Sequence, residues 1–113
     1  MDIKTQITLD DLDKIDVRVG TIELADTVEG SEKLLRLSVN FGEFNRIIFS
    51  GIKKDFPDTS VLVGKQALFV VNLVPRKMMG EFSEGMLFGI IAPDNKYTLA
   101  IPFEAVPNGS FAV

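Results

Sequence analysis

Apolar and polar residues alternate along most of this chain in short runs, and glycine or proline stops each run before it can grow into a long element. Val17 and Val19 flank Arg18, and Ile22 and Leu24 flank Glu23. Leu35, Leu37 and Val39 share one face of a segment whose other face carries Leu34, Arg36 and Ser38. A period of two belongs to a strand with one buried face. Gly20 falls inside the first run, where it predicts a bulge or sharp bend. Gly42 and Glu43 turn the chain, Phe44 to Phe49 returns as a strand, and Ser50-Gly51 breaks it. After Gly64, QALFVVNL is apolar on both faces, as is Met86 to Ala92, which Gly89 interrupts. The tail repeats the pattern in YTLAI, FEAV and SFAV, separated by Pro102 and by Pro107-Asn108-Gly109.

Helical periodicity is confined to two places. Thr8 with Asp11 forms a candidate cap, and Leu9, Leu12 and Ile15 are spaced for one face of a short N-terminal helix that plugs an opening in the fold. The piece IKKDFPDT is broken by Pro57 and allows one or two turns, carrying Lys53 and Lys54 to the surface. Five principal strands, glycines at bends and a brief helical insertion favour a small closed barrel over a sandwich. The expected fold is all-β: a single domain over residues 1–113, built as a five-stranded OB-fold barrel. It carries a short N-terminal helix, a one- to two-turn helical insertion between strands 3 and 4, and short C-terminal strands.

The residue inventory narrows the chemistry. The chain has no cysteine and no histidine, which removes disulfides, thiolate metal sites and the usual neutral base. Glu81 with Glu84, and Asp10 with Asp11 and Asp13, are carboxylate groups without a neighbouring base, the pattern of a solvated face or a helix cap. The glycines are too scattered for a phosphate-cradling loop. These features predict no enzyme, no cofactor and no metal. No apolar run approaches the ~18 residues of a membrane span, and MDIKTQ lacks the basic and apolar regions of a signal peptide. A cytoplasmic protein without membrane contact is expected.

Charge is uneven along the chain. The net value is −4, yet residues 33–77 hold eight basic side chains against three acidic ones, between acidic flanks. A local positive patch on an acidic protein is what a polyanion meets. The stretch from Val71 to Leu87 concentrates this pattern: an apolar run ends at Asn72, Pro75 fixes the backbone, Arg76 and Lys77 follow, and Gly80 and Gly85 bracket a polar turn. It is too long for a hairpin turn and reads as a binding loop between two core strands. Arg76, Lys77 and Lys33 can pair with phosphates, while Asn72, Ser50 and Ser83 supply short-range hydrogen bonds. Many of the nine phenylalanines follow strand spacing and belong in the core. Recognition of folded RNA by shape is therefore favoured over a single-strand channel with aromatic platforms.

Four words stand out together: DVRVG at Asp16–Gly20, SGI at Ser50–Ile52, NLVPRKMMG at Asn72–Gly80 and SEGM at Ser83–Met86. With KLLRLSVNFGE between them, the chain resembles the tRNA-binding domain family over nearly its whole length. These OB-fold modules occur as freestanding bacterial tRNA-binding proteins, as C-terminal extensions of methionyl-tRNA synthetases, and in a related bacterial export chaperone. The resemblance implies that Lys33, in Glu32-Lys33-Leu34, is brought to the RNA. It also implies that Ser50, Gly51, Asn72, Arg76, Lys77, Ser83 and Glu84 lie on the RNA-facing side. Upstream of Lys33 the family usually has a histidine, a proline and an alanine, where this chain has Val28, Glu29 and Ser31. The implied function is non-catalytic docking of folded tRNA on a basic and polar surface at the barrel mouth, by a homodimer joined through its terminal elements. An aminoacyl-tRNA synthetase is a further implied partner. The alternative is a homodimeric export-related chaperone or protein-interaction module that binds unfolded polypeptide.

Overall fold

The computed structural model describes residues 2–113. Its centre is β1 (Val17–Thr27), an eleven-residue strand whose two parts pair with two main partners in turn. The first part, Val17 to Thr21, pairs antiparallel with β4 (Gln66–Val70), and the second, Thr21 to Thr27, pairs with β2 (Leu35–Asn40). Thr21 is the handover point, opposite both Gln66 and Asn40. A strand that serves two neighbours in succession must coil, and the sheet curls with it. β3 (Asn45–Ser50) follows β2, and β7 (Met86–Leu87) lies on the far side of β4, giving the order β3-β2-β1-β4-β7.

The apolar alternation read from β2 is realised: Leu35, Leu37 and Val39 are buried, with Ile22, Phe41, Ile48 and Phe69 packed beside them. Gly20 does not form the expected bulge; the register shift falls between Ile22 and Leu24 instead. Gly20 is needed for close approach. A Cβ there would lie 2.6 Å from Val39 Cγ1 and 2.8 Å from the Phe41 ring, so the missing side chain lets Phe41 cross over β1.

Between β3 and β7 the curl is completed by bridges rather than by a continuous ladder. The Glu84 N–H donates to the Ile47 carbonyl at 2.9 Å, and the Phe49 N–H donates to Ser83 Oγ at 3.0 Å. Arg46 reaches across, donating to the carbonyls of Glu84 at 2.9 Å and Val71 at 3.1 Å. The observed sheet is thus a curled half-barrel whose seam is held by one backbone bond and by the side chains of Ser83 and Arg46. The short span of β7 leaves too little backbone to pair along β3.

The helix α1 (Leu9–Leu12) has the predicted capping box, with Thr8 and Asp11 bonding each other's backbone. It plugs nothing: Leu9 is 77% exposed, and Leu12 and Ile15 are about half exposed. The insertion between β3 and β4 covers the core instead. It is a turn after Ile52 followed by a 3-10 turn, η1 (Thr59–Val61), capped by Asp58. Ile52 and Leu62 are buried in the core, and Phe56 packs edge-on against Tyr97.

The second apolar run splits at Gly89, where a Cβ would collide with the Tyr97 ring. β8 (Gly89–Ile91) then pairs with β9 (Tyr97–Leu99) as a separate ribbon. FEAV forms no strand, whereas β10 (Phe111–Ala112) pairs with the start of β1. Asn108 locks this tail down, its Oδ1 accepting from Thr21 Oγ1 at 2.8 Å and from Gln66 Nε2 at 2.9 Å. Phe111 adds a face for the Arg18 guanidinium, 4.5 Å from the ring centre. The second apolar faces of the late strands stay uncovered, with Phe88, Ile90, Ile91 and Phe111 exposed.

Candidate functional site

The stretch read as a loop is itself a hairpin. β5 (Arg76–Met78) pairs with β6 (Glu81–Ser83), Lys77 facing Phe82 across the ladder. The two-residue turn has Met79 at φ 52° and Gly80 at φ 83°, the mirror-image turn that matches the twist of paired strands. Methionine in place of the usual asparagine hid this signal in the sequence, because a non-glycine residue rarely takes that conformation.

An ion pair fixes how the hairpin sits. The Arg36 guanidinium, on β2, donates Nε and Nη2 to the two Glu81 carboxylate oxygens at 2.9 and 2.7 Å. This two-pronged geometry holds orientation as well as distance. The hydrogen bonds from Arg36 keep the Glu81 carboxyl below the usual glutamate range, and the same bonds raise the Arg36 guanidinium.

Two other segments meet the hairpin. Gly30 lies against its tip, where a Cβ would be 3.3 Å from Met79 Cε. Beyond Gly30, Ser31 Oγ accepts from the N–H groups of Lys33 and Leu34, which shapes the turn that presents Lys33. The third segment follows β3: the Lys53 N–H donates to the Lys33 carbonyl at 3.1 Å, and Lys53 Nζ donates to the Ser31 carbonyl at 3.3 Å. Residues 28–34, 50–54 and 76–83 therefore occupy one end of the sheet. Lys33, Lys54, Arg76 and Lys77 are exposed there. An open groove of about 640 Å³ runs between the hairpin and β3, walled by Leu73, Val74, Met78 and Met86, with Arg76, Ser50 and Gly51 on its lining.

The sequence-predicted residues divide into two sets. Lys33, Ser50, Gly51, Arg76 and Lys77 lie on this end, with open space where a Gly51 side chain would be. Asn72, Ser83 and Glu84 are engaged on the chain's own backbone. Asn72 accepts from the Asp16 N–H at 2.9 Å and donates to the Lys14 carbonyl at 2.6 Å. Ser83 is 5% exposed and satisfies the Phe49 N–H, while the Glu84 carboxylate accepts from the Ile47 N–H at 3.4 Å. The Arg36–Glu81 clamp had no sequence signal, because the partners lie on strands whose neighbours in space are not neighbours in the chain. Among the described residues, no three acidic side chains are grouped to hold a metal ion, and no helix is long and apolar enough to cross a membrane.

Residues 17–110 match the family described as "putative tRNA binding domain". Among solved structures, the chain is similar to a methionyl-tRNA-synthetase-related protein from Pyrococcus horikoshii, at 34% identity and a TM-score of 0.90, covering 97% of this chain and all of that one. It is similar to the chaperone CsaA from Bacillus anthracis, at 26% identity and a TM-score of 0.85, covering 96% of this chain and all of that one. It also resembles the C-terminal domain of Plasmodium vivax p43, at 27% identity and a TM-score of 0.81, covering 92% of this chain and 62% of that one.

The clamp makes a prediction about pH. A carboxylate whose folded value is lowered stabilises the fold above the ordinary glutamate value of about 4.3, and that contribution fades as pH falls through the lowered value. Carboxyl NMR titration is expected to give Glu81 a midpoint below the ordinary value, and Arg36→Ala to return it to the ordinary range. A Glu81 midpoint that ignores Arg36→Ala would show that the pair does not form in solution.

Proposed function

Since the chain belongs to the tRNA-binding domain family, we propose that it is a non-catalytic, structure-directed tRNA-binding protein that acts in the cytoplasm. The observation that carries the reading is the convergence of residues 28–34, 50–54 and 76–83 on one end of the sheet, with Lys33, Lys54, Arg76 and Lys77 exposed on it. In this reading the curled sheet with its bridged seam is a five-stranded OB barrel, and that end is its mouth. The cations meet phosphates, and Gly51 lets an RNA backbone approach closely. Phosphate contacts set register without reading sequence, so folded tRNA is bound with weak sequence preference. A synthetase served in trans fits the likeness to the synthetase-related protein.

The protein acts as a homodimer. Leu12, Ile15, Phe88, Phe111 and Val113 line a second apolar groove, of about 580 Å³, between α1 and the tail. Their exposure on one chain is relieved when a second copy covers them. Two copies also double the RNA-facing surface and raise avidity for an RNA that spans both. A second function is favoured by a specific observation. The apolar walls of the groove beside the hairpin suit an unfolded polypeptide, as the likeness to the chaperone CsaA suggests.

Replacing Arg76 and Lys77 with alanine is expected to lower tRNA affinity about tenfold or more. It should also flatten the dependence of log K on log salt by about 0.7 to 0.9 per lost phosphate contact. Lys96→Ala, in the tail, is the control and should bind as the parent does. Equal affinity and slope for the parent and both variants in filter binding would move the polypeptide reading ahead. Sedimentation equilibrium at tens of micromolar should give twice the 12.5 kDa chain mass, and a monomer would overturn the dimer.

A further inference from the structure

Strand spacing places many of the phenylalanines in the core, and Phe82 is one of those outside it. Its side chain is 56% exposed, whereas Ser83, the next residue on the same strand, is 5% exposed. The alternation of β6 therefore turns Phe82 to the outer face of the hairpin, the face that also carries its cross-strand partner Lys77. The ring is unclaimed. Among the described residues, aromatic pairs form between Phe41 and Phe44, Phe41 and Phe69, and Phe56 and Tyr97. Arginines sit over Phe44 and Phe111 but not over Phe82. The opposite face of the hairpin is anchored by the Arg36–Glu81 clamp, so the ring stands on a fixed ribbon.

Resting on the tRNA-binding reading, we propose that Phe82 is a stacking platform for an unstacked nucleobase of the bound RNA, whose adjoining phosphate lies on Lys77. A flat ring beside a cation matches the two parts of a nucleotide, a π-face and a negative charge. An apolar polypeptide segment would use the ring alone and gain nothing from Lys77, or from Lys33 on the loop that touches the hairpin tip. Phe88 and Phe111 do not offer the same surface: both line the groove between α1 and the tail, and Phe111 already stacks on Arg18. The platform contributes affinity with little sequence preference, because every base has a face to stack.

The chain has no tryptophan, so Phe82→Trp places a lone fluorophore at the platform. Phe82→Trp is expected to bind tRNA as tightly as the parent, with its emission quenched as tRNA saturates it. Phe82→Ala is expected to lower tRNA affinity about fivefold or more at unchanged salt slope, since no phosphate contact is lost, whereas Lys77→Ala flattens the slope. An unchanged thermal midpoint for both Phe82 variants shows that the exposed side chain was not holding the fold. If the parent binds tRNA and Phe82→Ala binds equally well, or if Phe82→Trp emission stays constant at saturation, the platform is overturned while the tRNA reading stands. If the parent itself binds no tRNA, the functional reading falls first and the platform with it. Loss of binding to reduced, unfolded α-lactalbumin by Phe82→Ala, with tRNA binding intact, would assign the ring to polypeptide and overturn the proposal.

Discussion

The seam between β3 and the β6–β7 segment is the constraint on which the rest of the molecule depends. A sheet curled by one shared strand brings its two ends close without giving them enough backbone to pair, and each buried amide left without a partner costs about 1–3 kcal/mol. Ser83, Glu84 and Arg46 resolve this with side chains. The hairpin grows directly out of that seam, and Arg36 then pins it to β2 through Glu81. Its orientation follows from that seam, and with it the face on which Arg76 lines the groove and the opposite face that carries Lys77 and Phe82.

Much of the architecture was legible because strand alternation is a local property. The buried face of β2, the capping box at Thr8 and the break at Pro57 each depend on residues within a few positions of one another, whereas the alternation of β1 breaks at the register shift after Ile22 and leaves Leu24 exposed. What failed depended on contacts distant in sequence. Gly20 looked like a bulge because a glycine in a strand usually marks one, and only the arrival of Phe41 shows that it makes room. The helix looked like a plug because its apolar face is regular, yet the core was already covered by Ile52 and Leu62 from the insertion. A regular apolar face says that something must cover it, and not which chain the cover comes from.

Sequence indicates the exposure of the charged candidates more readily than the engagement of the polar ones. Lys33, Arg76 and Lys77 are exposed, as charged side chains in turns and short strands usually are. Asn72, Ser83 and Glu84 are of the types that bind ligands, but the same donors and acceptors serve backbone groups that a short, curled sheet cannot otherwise pair. Residue type alone does not separate a group that forms a surface from one that holds it in place. Phe82 shows the reverse case: it lies in a stretch read as a loop, and only the pairing of β5 with β6 sets which way its ring faces.

The proposal that tRNA meets this one end of the sheet is tested directly by following backbone amide NMR signals of the labelled protein as tRNA is added. The expected result is that shifts and line broadening concentrate on residues 31–34, 50–54 and 76–83, while α1 and the tail beyond Tyr97 change little. Changes concentrated on α1, β8 and β10, with the hairpin and Lys33 unperturbed, would contradict it.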